Sequence, residues 1–329
     1  MSLGGKVDGN LVIVWNMSEG KSEGLQVASN QPDQSCQDLA YFNTNPFKFV
    51  TVHNNAIRIW HFDILKHKFN VVDCQMGHIK RFITCIRIDA SDTYAYCGTR
   101  TGDILEIFLD KANFKRVGPM NRIFQNGISS ILVMSPSELT IGAGDGSVVK
   151  VNRKSMKIEE EAKVPGGVCA LSSTTRSIFI VSTRGTVYNV RHSDPLNKLE
   201  YFSSGHSQQI KQIVFPRGYS EVFATASGGE IRIWSLKNQR ELLRIELAKS
   251  GTLVNAIEFQ PDGKLILSGW SDGKVRAFLP QSGKLAYSIA EGHKEGVEVT
   301  AIAATSDSQR ILGGGNDGEI RLWQIGKQV

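Results

Sequence analysis

Apolar and polar residues alternate in short runs along this chain, and the runs repeat. Near the C-terminus Asn316-Asp317-Gly318 leads into Glu319-Ile320-Arg321-Leu322-Trp323. Asp-Gly is a hairpin-turn dipeptide, because Gly accepts positive φ without steric cost and Asp can bond its own backbone. The residues after it alternate with period two, which predicts a half-buried strand with Ile320 and Leu322 turned inward and Arg321 leaning outward. The same turn and strand recur as Ser271-Asp272-Gly273-Lys274-Val275-Arg276-Ala277-Phe278 and as Gly228-Gly229-Glu230-Ile231-Arg232-Ile233-Trp234. They recur again as Asn54-Asn55-Ala56-Ile57-Arg58-Ile59-Trp60 and as Asp8-Gly9-Asn10-Leu11-Val12-Ile13-Val14-Trp15, with looser copies ending at Phe108, Asn152 and Arg191.

The copies end at positions 15, 60, 108, 152, 191, 234, 278 and 323. A spacing of about 44 residues in a strand-rich chain predicts a propeller blade of four strands. The expectation is an all-β protein, a β-propeller of about seven four-stranded blades. Residues 31–329 supply seven repeats, the last lacking its outer strand, and 1–30 supply a partial blade. A strand near 24–28 is expected to complete the last blade and remove its free edge, which leaves 11–15 surplus. The alternative is that the chain contains parts of two adjoining propellers.

Composition narrows the class. At 329 residues, with 41% hydrophobic and 21% charged residues and no low-complexity tract, the chain can bury a substantial core. It contains neither an apolar run of membrane-spanning length nor a charged segment leading into an apolar one at its start, so neither membrane insertion nor export is expected. The five cysteines (Cys36, Cys74, Cys85, Cys97, Cys169) are odd in number and mostly sit in apolar strand patterns, which predicts reduced, buried structural thiols. Net charge is +6. Basic residues gather in the second and third repeats, and Lys111, Lys115, Arg116 and Arg122 are candidates for a positive face toward an acidic protein. They are not interleaved with aromatics, so nucleic acid is not expected as a partner.

No nucleophile-and-base pair, metal-ligand set or phosphate loop holds together. Gly142-Ala143-Gly144-Asp145-Gly146 and the glycine-rich 313–318 lack a following Lys-Ser or Lys-Thr and lead into strands, so they read as hairpin turns. An enzyme, a cofactor and a small-molecule substrate are therefore not expected.

Gly77-His78, Gly205-His206 and Gly292-His293 precede inner strands, and Trp15, Trp60, Trp234 and Trp323 end third strands. This pattern resembles the WD-repeat family. The resemblance implies that a His, a Ser or Thr of the second strand, a turn Asp and the Trp form a buried hydrogen-bonded chain within a blade. His293, Asp317 and Trp323 are all present in the last repeat, although Gly313 to Gly315 crowd the place of the hydroxyl, so this set is the most nearly complete. The repeat of His206 keeps Thr225, Ser227 and Trp234 but has Gly228-Gly229 at its turn. His78 has Asp103 displaced by a residue and Phe108 in place of Trp, and the repeats ending at Asn152 and Arg191 lack the chain. Most blades are expected to depend on apolar packing.

The stretches 291–307 and 314–326, with Arg240-Glu241-Leu242-Leu243-Arg244-Ile245 and Ile213-Val214-Phe215-Pro216, resemble a branch of that family found in motile cilia. That resemblance implies a non-enzymatic scaffold of the ciliary or flagellar axoneme, within the cytoplasm and cytoskeleton. Its partners would be proteins, tubulin and other axonemal inner proteins of the doublet microtubules among them. It also implies two consecutive propellers and about twice this length, so the chain is expected to be a fragment or short form. The alternative function is a substrate-recognition or assembly subunit of a cytosolic complex such as a ubiquitin ligase. Against it, Trp15, Trp60, Trp234 and Trp323 are followed by Asn, His, Ser and Gln rather than by Asp-x-Arg.

Overall fold

The computed structural model describes residues 36–63, 66, 68–247, 251–290, 292–294 and 296–325, together with the backbone of the strands Ser2–Leu3, Val12–Asn16 and Glu23–Val27. The described strands form antiparallel sheets in strict chain order: an N-terminal sheet of three strands, six sheets of four, and a last sheet of three. Contacts divide the chain into two compact units, 1–202 and 203–329. The first holds the N-terminal sheet, sheets one to three and sheet four up to Phe202, within its last strand Glu200–Ser204; the second holds the end of that strand, sheets five and six and the last, seventh sheet.

Each sheet is a meander closed by the turns that the repeats announce. In the three-residue turn of sheet three, Gly146 has φ +87°, and a Cβ there would lie 2.4 Å from the carbonyl oxygens of Val164 and Gly166, so only glycine fits. The inner strand of every numbered sheet carries one bulge, after Cys36, Ile83, Ile128, Val168, Ile210, Val254 and Val299. A bulge re-aims the residues beside it. Here it sets up the inter-sheet bonds described below.

The core lies between neighbouring sheets rather than within one. Val50, Val52 and Ile57 of sheet one pack on Ile83, Ile86 and Leu105 of sheet two. Ile231, Ile233 and Ile245 of sheet five pack on Val254, Ile257 and Trp270 of sheet six. Both sides of the third strand of sheet five are covered, and Ile231, Arg232 and Ile233 are all buried.

Three expectations are corrected. In Ile320–Gln324 the parity is reversed: Ile320 and Leu322 are 77% and 60% exposed, while Arg321 and Trp323 are half-buried. Period-two alternation identifies a strand but not which of its faces is covered. The N-terminal strand expected to complete the last sheet instead pairs locally, Glu23–Val27 with Val12–Asn16, which pairs in turn with Ser2–Leu3. Short hairpins cost less loop-closure entropy than a pairing across the whole chain. Finally, Cys169 is exposed and Cys36 half-buried; all five thiols are free.

Candidate functional site

The antiparallel register gives equivalent positions in different sheets. Thr51, Thr225, Ser268 and Gly313 on second strands face Arg58, Arg232, Arg276 and Arg321 on third strands. Two residues beyond each Arg stand Trp60, Trp234, Phe278 and Trp323. Trp60 Nε1 donates to Thr51 Oγ1 at 2.8 Å, and Trp234 Nε1 to Thr225 Oγ1 at 2.7 Å. Sheet six, with Phe278, uses a different indole: Trp270, fully buried on the second strand, donates to Ser268 Oγ at 2.7 Å. Each bond satisfies an indole N–H that burial would otherwise leave stranded.

Sheet five extends this pair into a network. His206 Nε2 lies 2.6 Å from Thr225 Oγ1, and His206 Nδ1 lies 2.6 Å from Glu230 Oε1. One assignment satisfies every atom: Trp234 N–H donates to the Thr225 oxygen, the Thr225 hydroxyl to His206 Nε2, and His206 Nδ1–H to Glu230. Arg232, with none of its surface exposed, places Nη2 2.7 Å from Glu230 and Nη1 2.9 Å from Glu241. Glu241 also accepts from Ser204 Oγ at 2.7 Å and from Arg244 Nε at 3.0 Å. Burial pushes the Glu230 and Glu241 carboxyls upward, yet hydrogen bonds from His206 and Arg232, and from Arg244 and Ser204, outweigh it and hold both below the ordinary glutamate range. Ser227 stands outside the chain and donates to the carbonyl of Gln208 at 2.8 Å.

The last sheet, expected to hold the most nearly complete set, does not close it. His293 and Trp323 meet edge to face with centroids 6.1 Å apart, and His293 Nδ1 is 4.0 Å from Asp317 Oδ1. Both ring nitrogens of His293 are buried without a hydrogen-bond partner among the described residues. Gly313 is the reason: it stands where Thr51 and Thr225 stand, and a Cβ there would be 2.7 Å from the Trp323 ring. The indole occupies the space a threonine would need. Glu319, the counterpart of Glu230, is held by Lys294 at 2.7 Å and Arg321 at 3.0 Å. His293, Asp317 and Glu319 bring ligand atoms within 4.8 Å of one another, but a metal ion entering there would compete with those two fixed cations.

His78 is exposed, and its neighbour Arg81 binds Asp103 instead, Nε to Oδ2 at 2.9 Å. Among the basic candidates, Arg122 makes a two-pronged pair with Glu161 at 2.5 and 2.7 Å. Arg116 binds the buried Glu106 and the Arg153 and Lys154 carbonyls. Lys115 lies 3.5 Å from Glu106 and 3.9 Å above the Tyr94 ring, whereas Lys111 is exposed with no ion pair among the described residues. Three of the four cations thus have carboxylates of their own, which lowers the net charge they offer.

Side chains beside the bulges tie each sheet to the next within its unit, a feature the sequence reading missed. Asp38 accepts from the Ile86 amide at 3.0 Å, Ser130 from Leu171 at 3.2 Å and Gln212 from Ile257 at 2.9 Å. Where that position is Cys85 or Ala256, the preceding residue serves: Thr84 donates to the Ile128 carbonyl and Asn255 to that of Val299. A polar residue at or just past the bulge was the available signal.

Comparison with known proteins follows the repeats. Residues 283–324 match the family described as WD domain, G-beta repeat, and residues 221–303 match the anaphase-promoting complex subunit 4 WD40 domain. The chain carries WD40 repeats across 221–324. This WD-repeat chain is similar to cilia- and flagella-associated protein 52 of Chlamydomonas reinhardtii, 37% identical over 89% of this chain and 47% of that protein. The human protein of the same name is 36% identical, again over 89% of this chain and 47% of its own length. Mouse WD repeat-containing protein 90 is 22% identical over 84% of this chain and 16% of its own. The WD-repeat chain thus spans about half the length of the curated relatives it matches first. Solved structures with some likeness include the WD40 beta propeller domain of Doa1 (TM-score 0.44, 16% identity, 90% of this chain and 94% of that one) and U3-55K (0.46, 16%, 90% and 93%). The fold is all-β, with repeats of the WD40 type whose sheets are the blades.

Proposed function

We propose that this WD-repeat protein is a non-enzymatic scaffold of the ciliary or flagellar axoneme, associated with doublet microtubules and docking proteins such as tubulin and inner axonemal components. The observation that carries this reading is the identity of 34–37% to proteins named cilia- and flagella-associated protein 52 over 89% of the chain. On this reading residues 31–329 supply seven WD repeats and 1–30 a partial blade. Stiff blades on fixed strands present many loops at once, which suits multivalent docking. The basic candidates add salt-sensitive attraction to an acidic surface, with Lys111 and Lys115 the least committed to internal partners. Co-sedimentation with purified doublet microtubules tests it: pelleting that weakens with added salt and with Lys111→Glu and Lys115→Glu supports the reading, and no pelleting at low salt contradicts it.

The match of 221–303 to the anaphase-promoting complex subunit 4 WD40 domain favours a second reading, a recognition or assembly subunit of a cytosolic complex such as a ubiquitin ligase. Stable co-purification with such a complex, and none with doublets, would select it.

A further inference from the structure

Between blades five and six, at the end where first strands turn into second and third strands into fourth, lies a groove of about 500 Å³. Its floor is apolar and buried, formed by Ile233 and Phe259. Its walls include Tyr219 and Leu242, each about half exposed at 51% and 53%, and the prolines Pro216, Pro261 and Pro280. Large apolar side chains left half in water around a preformed concavity mark a binding surface better than scattered ones do. Proline keeps loops in one conformation, so little ordering entropy is lost when the groove fills.

The surroundings of the groove carry an excess of positive charge over negative. The four loops at this end carry four cations, Arg217, Lys237, Lys264 and Lys284, against two carboxylates, Glu221 and Asp262, and Arg240 opens the adjoining strand Arg240–Glu246. Lys264 is paired with Asp262 at 3.4 Å. Arg217, Lys237, Arg240 and Lys284 are exposed and make no salt bridge among the described residues. An apolar slot inside a positive rim fits a segment that is apolar at its centre and acidic at its flanks.

We propose that this groove docks an acidic peptide segment that inserts a bulky apolar side chain between Tyr219 and Leu242, its flanking carboxylates meeting Arg217 and Arg240. The site lies within the second unit and does not depend on the ciliary reading. It takes peptide rather than nucleic acid, because Tyr219 is the one aromatic ring in its exposed wall and offers no stacking series for bases.

The test is fluorescence anisotropy of the full chain with a fluorescein-labelled peptide in which two adjacent Phe are flanked on each side by three Glu. The expected result is saturable binding that weakens at least ~10-fold when both Phe are replaced by Ser, the loss of a buried anchor. Leu242→Glu should weaken it by a similar factor, and Arg217→Glu should both weaken it and flatten its salt dependence. Leu242 is half in water, and a melting curve checks that the variant folds; Tyr219→Ala repeats the comparison by truncation instead of charge. The proposal is overturned by equal binding of the Ser peptide, by unchanged affinity in both groove variants, by no saturation up to ~1 mM, a ceiling for a weak specific complex, or by a single-stranded oligothymidylate binding the groove more tightly than the peptide.

Discussion

Glu230 Oε1 sits 2.6 Å from His206 Nδ1, one residue past the glycine turn of blade five, and so fixes the imidazole that Thr225 meets from the other side. The carboxylate is in turn held by a fully buried arginine. A buried polar chain of this kind specifies one arrangement only if every member is satisfied. Cutting it should therefore cost more than cutting any exposed pair in the molecule.

Thr225→Val keeps the shape of the side chain and removes its hydroxyl, leaving His206 Nε2 and Trp234 Nε1 without a partner. Unsatisfied buried groups cost about 1–3 kcal/mol each, so we expect a loss of about 2–4 kcal/mol in the blade's unfolding free energy by denaturant titration. A loss below about 0.5 kcal/mol, within the scatter of surface substitutions, would contradict the network.

His206 and His293 should respond oppositely to the same change. His206→Leu leaves the Thr225 hydroxyl proton without an acceptor and takes one donor from Glu230, which keeps Arg232, and is expected to destabilise by about 1–3 kcal/mol. His293 has both nitrogens unpaired among the described residues, so His293→Leu is expected to be neutral or to stabilise by about 1 kcal/mol. Restoring the hydroxyl by Gly313→Thr should fail, because the new Cβ meets the Trp323 ring at 2.7 Å; overpacking of this kind costs about 1–3 kcal/mol.

The pH dependence has a definite sign. Glu230 and Glu241 have folded-state carboxyls below their ordinary value near 4.5, so they contribute stability above that value and lose it as pH falls through their lowered folded values. Acid unfolding of the second unit should steepen below about pH 4.5. Replacing both by Gln should lower stability at pH 7 and flatten that limb; a limb of unchanged slope would count against the pairing.

The thiols divide by burial. Burial pushes Cys74 up to about 12 and Cys85 to about 11, and drives Cys97 well above its ordinary range. Only the thiolate reacts quickly. At pH 8 an alkylating reagent should modify Cys169 first in the native chain and reach the other thiols on unfolding; peptide mapping that finds Cys97 modified as fast would contradict the packing between blades one and two.

What could be read from sequence was what is local. Turn dipeptides and alternation reveal third strands such as Ile57–Asp63, Glu230–Ser235 and Val275–Phe278, because hairpin chemistry is written in adjacent residues. Which face of Ile320–Gln324 is covered depends on a neighbouring sheet, and no period reveals that. Ser2–Leu3 is too short to show alternation at all. Glu230 is not legible as the partner of His206, because the family pattern puts an Asp in the turn at 228–229, whereas the carboxylate that takes its place stands one residue later. Gly313 was visible as a gap in the hydroxyl positions, but that the Trp323 ring fills this gap is a property of packing.

The central claim is that this chain is an axonemal WD-repeat scaffold, and fractionation tests it most directly. Cells of the organism that encodes the protein are demembranated, and axonemes and soluble extract are compared by quantitative mass spectrometry. The account predicts that the protein is enriched in the axonemal fraction and remains with the doublet microtubules after detergent extraction. Recovery wholly in the soluble fraction, or abundant expression in cells that build no cilia or flagella, would contradict it.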